Sequence, residues 1–154
     1  MQYNTGLFPF LNLKGLLRVP EGDPMLNPVV QDTLDRTRMG KAVPDMPMFI
    51  WQGNPDELVP VGPVNTLVDT YCQNPDARVQ YTREHAGEHV TTEVSGSATA
   101  LLWLRDRLDG VPTPAGCHTS DDGLMALDPA GLGLLGQIFG ETIASFFGKA
   151  IGNN

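Results

Sequence analysis

Two of the chain's three histidines share one short loop, and an aspartate occupies a matching position earlier in the sequence. His85 and His89 lie in the segment His-Ala-Gly-Glu-His, between a predicted strand and a predicted helix. Asp56 follows the preceding predicted strand, in the segment Asn-Pro-Asp-Glu-Leu-Val-Pro. Because the carboxyl ends of parallel strands meet at one edge of a sheet, we expect Asp56 and the histidine loop to lie close together.

A carboxylate beside a histidine has a known chemical use. The carboxylate fixes the imidazole tautomer and stabilises the imidazolium that forms when the histidine takes a proton from a nucleophile. In α/β-hydrolases the chain order is serine, acid, histidine, each on a loop after a strand, and Asp56 precedes the histidine loop here. Taken singly, Asp56 can equally be a turn or helix-capping aspartate, and either histidine a solvated loop residue.

The nucleophile of such a triad is not recognisable in this chain. A hydrolase of this kind carries Gly-x-Ser-x-Gly on a strand-to-helix elbow, and the chain contains no such segment. Ser95 and Ser97 fall within a predicted helix, and Ser120 and Ser145 lack the flanking pattern. We therefore expect this chain to contain the acid and the base of a catalytic triad but not its serine.

Metal and phosphate chemistry are excluded by spacing. A zincin needs His-Glu-x-x-His on a helix, whereas His85 and His89 bracket a loop that contains glycine. Cys72 and Cys117 form no Cys-x-x-Cys pair, and no phosphate-binding glycine loop is present. We expect no metal and no cofactor, and we expect His118 to be a surface residue.

Helices and strands alternate along the part of the chain that must position these residues. The sequence patterns predict helices over 28–39, 63–72 and 91–108 and strands over 47–52 and 78–83, the second strand near a sheet edge. Two strands joined by a helical crossover form a parallel βαβ unit, and a parallel sheet needs cover on both faces. Two strands are too few for such a sheet, so we predict an α/β fold that is part of a larger one.

The chain changes character after Cys117. Residues 118–123 are predicted to be a polar linker, and apolar residues then recur at steps of three and four over 132–151. This spacing predicts an amphipathic helix. The helix either packs on its own domain or contacts a lipid surface or a partner.

Composition excludes one class of partner. The net charge is -8 and the basic residues form no cluster, so the chain lacks the concentrated positive surface that nucleic acid binding requires. We find no signal peptide at the start of the chain and no apolar run of about 20 residues that could span a membrane. Two cysteines alone leave the redox compartment open.

Four segments in order carry a resemblance to a known family: FIWQGNPDELVP at 49–60, GEHVTTE at 87–93, LWLRDRLDG at 102–110 and PTPAGC at 112–117. Together they resemble the secretory lipases, the lipase A type found in fungi and actinobacteria. In that family Asp56 falls on the triad acid and His89, not His85, on the triad histidine. The resemblance also implies a disulfide between Cys72 and Cys117.

The resemblance implies a domain organisation as well. The chain would be the last βαβα part of an α/β-hydrolase sheet, with residues 1–43 as the tail of a helical cap. Residues 44–117 would be the C-terminal part of the hydrolase domain, and residues 118–154 the linker and amphipathic helix. The serine would lie in an N-terminal half, and the export signal would also lie outside this chain.

The resemblance implies a secreted triacylglycerol lipase or carboxylesterase that hydrolyses lipid or other ester substrates. Two alternatives stay open: a non-catalytic remnant or binding module of the same fold, and a peptidase of the same superfamily. An in-frame Gly-x-Ser-x-Gly segment in upstream coding sequence would favour the hydrolase.

Overall fold

Three parallel strands organise the molecule in a computed structural model that describes residues 23–150. The strands are β1 (Met48–Gly53), β2 (Arg78–Glu84) and β3 (Gly116–Asp122), in the order β1-β2-β3. The helices are α1 (Pro28–Thr37), α2 (Val61–Tyr71), α3 (His89–Leu108) and α4 (Pro129–Phe146), with short 3-10 helices at Pro24–Leu26 and Met125–Leu127. Helix and parallel strand alternate from β1 to α4, which confirms the predicted α/β class.

The helices α2 and α3 cover opposite faces of the sheet. On the α2 face, the register of β1 and β2 places Ile50 beside Tyr81. The buried core on this face consists of Val68, Tyr71, Ala77, Val79 and Tyr81. On the α3 face, the ring centroids of Phe49 and Trp103 lie 5.9 Å apart. The indole N–H of Trp51 also donates to the carbonyl oxygen of Thr92. Since α3 bears His89, this second contact ties the histidine's helix to β1.

The strand β3 corrects the prediction of a polar linker over residues 118–123. It pairs in parallel with β2 from Gly116 to Asp122. No apolar pattern marks this strand in the sequence, because only Gly116 and Cys117 are partly buried and the other residues of β3 are exposed. Backbone hydrogen bonding to β2, rather than burial of side chains, defines this strand.

The position of β2 also differs from the prediction of a strand near an edge. Within the described residues β2 is the middle strand, with β1 on one side and β3 on the other. Its polar residues find partners inside the fold: Gln80 accepts from the indole N–H of Trp103, and Thr82 shares a hydrogen bond with Ser120. Alternating polar residues therefore do not place β2 at an edge.

Local signals account for the ends of the helices. Asn27 caps α1 by accepting a hydrogen bond of 2.9 Å from the backbone of Val29. Gly110 follows α3 with a φ of 79°, a left-handed conformation that favours glycine. The helix α3 begins at His89, two residues before the predicted start, because the Glu88 side chain accepts from the N–H groups of Val90 and Thr91.

The C-terminal helix α4 packs on α3 along one side only. Leu135 is buried, and Gly131 lies against Ala98 and Thr99 of α3. The predicted helix over 132–151 is thus observed as Pro129–Phe146, and residue 151 lies outside the described residues. Several large apolar side chains of this region are exposed, namely Leu132, Ile138, Phe139, Ile143, Phe146 and Phe147.

None of the helices in residues 23–150 is long and apolar enough to cross a membrane.

The predicted disulfide between the two cysteines is present. Cys72 at the end of α2 and Cys117 in β3 are bonded, with sulfurs 2.00 Å apart and Cα atoms 5.9 Å apart. The bond fastens α2 to the strand farthest from β1. The division of the chain at residues 43 and 117 stays a prediction, and residues 1–22 of the proposed cap tail lie outside the described residues.

Candidate active site

The loops that follow β1 and β2 begin side by side, because the last residues of the two strands are paired, and the loops then contact each other. Gly53 of β1 pairs with Glu84 of β2, and the N–H of Asn54 donates to the carbonyl oxygen of Glu84 at 2.7 Å. A Cβ atom at Gly53 would lie 2.5 Å from the carbonyl oxygen of Gly87. A Cβ atom at Gly87 would lie 2.2 Å from the Glu84 side chain. Both positions therefore require glycine, and their contact brings the Asp56 loop against the histidine loop.

The carboxylate of Asp56 is buried and held by four hydrogen bonds. Its Oδ1 accepts from the backbone N–H groups of Leu58 at 2.9 Å and Val59 at 2.7 Å. Its Oδ2 accepts from the side-chain amide of Gln52 at 2.7 Å and from the ring of His89 at 2.9 Å. The side chain is only 5% exposed, so its orientation is fixed by these partners.

His89 contacts Asp56 through one ring nitrogen, and no hydrogen bond to the other ring nitrogen forms within residues 23–150. Nδ1 lies 2.9 Å from Asp56 Oδ2, and the side chain is 38% exposed. An ionised carboxylate can only accept hydrogen bonds, so the proton of the neutral ring belongs on Nδ1. Nε2 then carries the lone pair that a general base needs.

The same contacts shift both pKa values. Burial by itself raises the pKa of Asp56, but the hydrogen bonds from Val59, His89, Leu58 and Gln52 outweigh it and hold that pKa below its usual value. The hydrogen bond to Asp56 raises the pKa of His89; desolvation opposes this, and the negative charges of Asp56, Glu57 and Glu88 add to it. The pair thus favours a charged aspartate and a histidine that readily holds a proton.

His85 takes a different place at the same edge of the sheet. Its Nδ1 accepts from the side-chain amide of Asn54 at 2.8 Å, and its Nε2–H donates to Asp121 at 3.1 Å. Asp121 also accepts from Arg83 at 2.7 Å. His85 therefore links the ends of all three strands, and of the two loop histidines it is His89 that bonds Asp56.

Two buried polar residues at this edge were not singled out from the sequence. Gln52 orients Asp56 and also donates to the carbonyl oxygen of Val59 at 2.8 Å. Glu84 is fully buried beneath the histidine loop. In each case the available signal was a polar residue at the carboxyl end of a strand, where an unpaired buried polar group would be unfavourable.

Three of the four serines bond to groups other than His89. Ser95 donates to Glu84 at 2.6 Å, Ser97 to the carbonyl oxygen of Val94 at 2.9 Å, and Ser120 pairs with Thr82. Residues 23–150 contain no group of three or more His, Cys, Asp and Glu side chains arranged to hold a metal ion. The arrangement by itself offers an oriented general base and the acid that supports it.

The chain is similar in sequence to several fungal lipases. The chain is 33% identical over 126 residues to lipase A of Arthroderma benhamiae, an alignment that covers 82% of this chain and 27% of that protein. It is 32% identical over 140 residues to the secreted triacylglycerol lipase LIP4 of Malassezia globosa, covering 84% of this chain and 30% of that protein. The chain thus spans about a third or less of the length of these relatives.

The fold has a counterpart among solved structures. The crystal structure of Candida antarctica lipase A in its closed state superimposes with a TM-score of 0.66 at 24% identity, covering 84% of this chain and 33% of that one. The sequence model of the secretory lipase family matches residues 15–116, a stretch that includes Asp56, Cys72 and His89. The chain therefore belongs to the secretory lipase family.

Proposed function

We propose that this chain supplies the acid and the base of a secreted serine hydrolase that cleaves carboxylic esters. The observation that carries the proposal is the contact between Asp56 and His89, in which Asp56 holds Nδ1 and no residue of 23–150 forms a hydrogen bond with Nε2. A serine hydroxyl would donate its proton to Nε2 as its oxygen attacks the ester carbonyl. The carboxylate of Asp56 stabilises the resulting imidazolium.

The proton then returns in the second half of the cycle. As the tetrahedral intermediate collapses, the bond to the alcohol breaks, and the imidazolium of His89 gives its proton to the leaving alcohol. His89 next takes a proton from water as the water oxygen attacks the acyl-enzyme. When this second intermediate collapses, the bond to the serine oxygen breaks, His89 returns the proton to that oxygen, and the carboxylic acid and the free serine are released. One histidine therefore serves as base and acid in turn, and Asp56 remains ionised throughout.

We place the nucleophilic serine and the donors that stabilise the oxyanion on polypeptide outside these 154 residues. Two observations support this placement. No Gly-x-Ser-x-Gly segment occurs in the chain, and Ser95, Ser97 and Ser120 are engaged elsewhere. The relatives that the chain matches are three or more times longer than the aligned part.

We assign the enzyme to the extracellular space and to lipid esters. Relatives named as secreted triacylglycerol lipases support both assignments, and the disulfide between Cys72 and Cys117 is the kind of bond that persists in oxidising compartments. The exposed side of α4 would contact the lipid surface. Glu141 is the only charged residue of α4, so the surface that suits it is an uncharged one.

Hydrolysis of a p-nitrophenyl ester tests the proposal. We expect background rates from the chain alone and from its His89→Ala variant, because losing the nucleophile of such a unit removes on the order of 10⁶ in turnover. Mixing the chain with an N-terminal half that carries a Gly-x-Ser-x-Gly segment should restore hydrolysis, and His89→Ala should abolish it again. Robust activity of the lone chain would show that a serine within it is the nucleophile.

A further inference from the structure

Glu84 is a fully buried carboxyl group that the reaction described above does not use. It is the last residue of β2 and has no exposed surface. Its Oε2 accepts from the hydroxyl of Ser95 at 2.6 Å and from the backbone N–H of Met125 at 3.2 Å. One carboxyl group thereby joins β2 to α3 and to the segment that follows β3.

The second oxygen of Glu84 faces the histidine loop. Glu84 Oε1 and Thr92 Oγ1 are both buried without a hydrogen-bond partner in the described residues. Both atoms point to the same place, since a Cβ atom at Gly87 would lie 2.2 Å from Glu84 Oε1 and 2.3 Å from Thr92 Oγ1. The carboxyl group therefore sits directly under the residue that precedes the cap of α3.

The residues of α3 that Glu84 faces lie on the side of the helix that carries His89. Thr92 and Ser95 follow His89 at steps of three, and residues three apart are neighbours on a helix surface. A shift or rotation of α3 that moved Thr92 and Ser95 away from Glu84 would move His89 with them. The contact of 2.9 Å with Asp56 depends on that placement.

We propose that Glu84 is a positioning residue that locks α3 against the end of β2, so that the ring of His89 meets Asp56. The inference rests on the proposed function only for the chemical role of His89. A carboxyl group is a poor choice for this location if packing alone matters, because burying it without a cation is unfavourable. No salt bridge to Glu84 exists within residues 23–150, whereas its neighbour Arg83 pairs with Asp121. A directional acceptor that bonds two separate elements explains its presence.

Titration of the His89 ring by NMR tests this role without any need for ester hydrolysis. In the parent chain we expect the pKa of His89 above 6.5, as the bond to Asp56 requires. Glu84→Ala should lower the His89 pKa toward 6.5, because the displaced ring would no longer form its hydrogen bond with Asp56. Glu84→Gln should keep it near the parent value, since the carboxamide oxygen can still accept from Ser95 and Met125.

Two further variants keep the test decisive. Ser95→Ala removes only the bond of 2.6 Å, so it should lower the His89 pKa in part, and it decides the question if Glu84→Ala does not fold. Val79→Ala weakens the buried core on the other face of the sheet and should leave the His89 pKa unchanged. The proposal is overturned if folded Glu84→Ala or Ser95→Ala keeps the parent pKa, or if Val79→Ala lowers it equally.

Kinetics in the reconstituted enzyme separate this proposal from the proposed function. If the complete enzyme hydrolyses esters, Glu84→Ala should lower kcat with little change in KM, and Glu84→Gln should recover most of the loss. If no ester is hydrolysed but the titrations behave as expected, the positioning role holds and the proposed function fails. If hydrolysis occurs and the titrations do not respond, only the positioning role is rejected.

Discussion

The side-chain amide of Gln52 donates to the same oxygen of Asp56 that accepts from the His89 ring. The two donors reach Oδ2 at 2.7 and 2.9 Å, and the amide is held in turn by the carbonyl oxygen of Val59 at 2.8 Å. These partners of the Gln52 amide are acceptors, so its NH₂ group must face them. Gln52 therefore helps to orient the carboxylate that the His89 ring contacts.

Replacing Gln52 with leucine should weaken both the fold and the acid. Asp56 Oδ2 and the carbonyl oxygen of Val59 would each lose a buried donor, which costs about 1–3 kcal/mol of unfolding free energy. The pKa of Asp56 should rise because one of the bonds that lowers it is gone. Urea unfolding and carboxyl NMR measure the two effects. Gln73→Leu, at an exposed position, is the control, and an equal loss there would refute the argument.

The contact between His89 and Asp56 should make stability depend on pH in one direction. The folded-state pKa of His89 is raised, so the contact stabilises the fold fully below about 6.5, and this contribution is lost as the pH rises through the folded-state value. His89→Gln should therefore lower the melting temperature more at about pH 5.5 than at about pH 9. A destabilisation that grows with pH would contradict the assigned contact.

The acidic limb of the activity profile should follow the same pKa. His89 accepts a proton only when neutral, so hydrolysis by the reconstituted enzyme should fall as the pH drops through a value above 6.5. Asp56→Asn should move that limb to lower pH, because it removes the charge and the hydrogen bond that raise the His89 pKa, and should also reduce kcat. A limb that stays in place in Asp56→Asn would assign it to another group.

Glycine at position 87 should be essential for the contact between the loop that carries Asp56 and the loop that precedes His89. An alanine Cβ would lie 2.2 Å from the side chain of buried Glu84, so Gly87→Ala should lower the melting temperature and the His89 pKa together. Gly62→Ala is the matched control, because a Cβ atom there meets nothing within 4 Å. That variant should be as stable as the parent chain or slightly more so. Thermal unfolding and ring titration of both variants distinguish the two outcomes.

The disulfide should contribute to stability without shaping the site. Cys72 and Cys117 are 45 residues apart, and closing a loop of that length stabilises a fold by roughly 4 kcal/mol in the chain-entropy model. The double alanine variant should lose about that much while its His89 pKa stays unchanged, because Cys117 pairs with Val79 far from the end of β2. Chemical unfolding with and without reductant checks the first point. An unchanged unfolding midpoint would mean that the bond does not form in solution.

The exposed side of α4 should bind an uncharged lipid surface. Phe139 and Ile143 are 53% and 57% exposed, and the helix carries a single charge, so we expect cosedimentation with phosphatidylcholine vesicles that salt does not weaken. Phe139→Asp combined with Ile143→Asp should abolish it. Leu108→Asp changes an apolar residue of α3 that is 80% exposed, more than either of these, and it should not weaken the binding. Absence of binding by the parent chain would remove the lipid assignment of α4.

Local sequence signals were sufficient for most of the elements and for the two loops that carry the candidate pair. An apolar run and helical periodicities predicted β1, α2 and α3 to within a few residues. Capping and hydrophobic periodicity depend on residues that are close together in the sequence, so they can be recognised without the fold. The placement of Asp56 and of the His85–His89 loop after adjacent strands followed from the same signals. The family resemblance then distinguished His89 from His85, and it also paired Cys72 with Cys117.

Other features were decided only by the tertiary structure. The strand β3 buries little of its own surface, so nothing in residues 118–122 distinguishes it from a loop until β2 lies beside it. Gln52 and Glu84 acquire their roles from partners 4 to 41 residues away, and a single sequence contains no periodicity that reports such partners. Hydrogen bonds between distant segments form only when packing has brought the segments together, which is why the support of the site became visible in three dimensions alone.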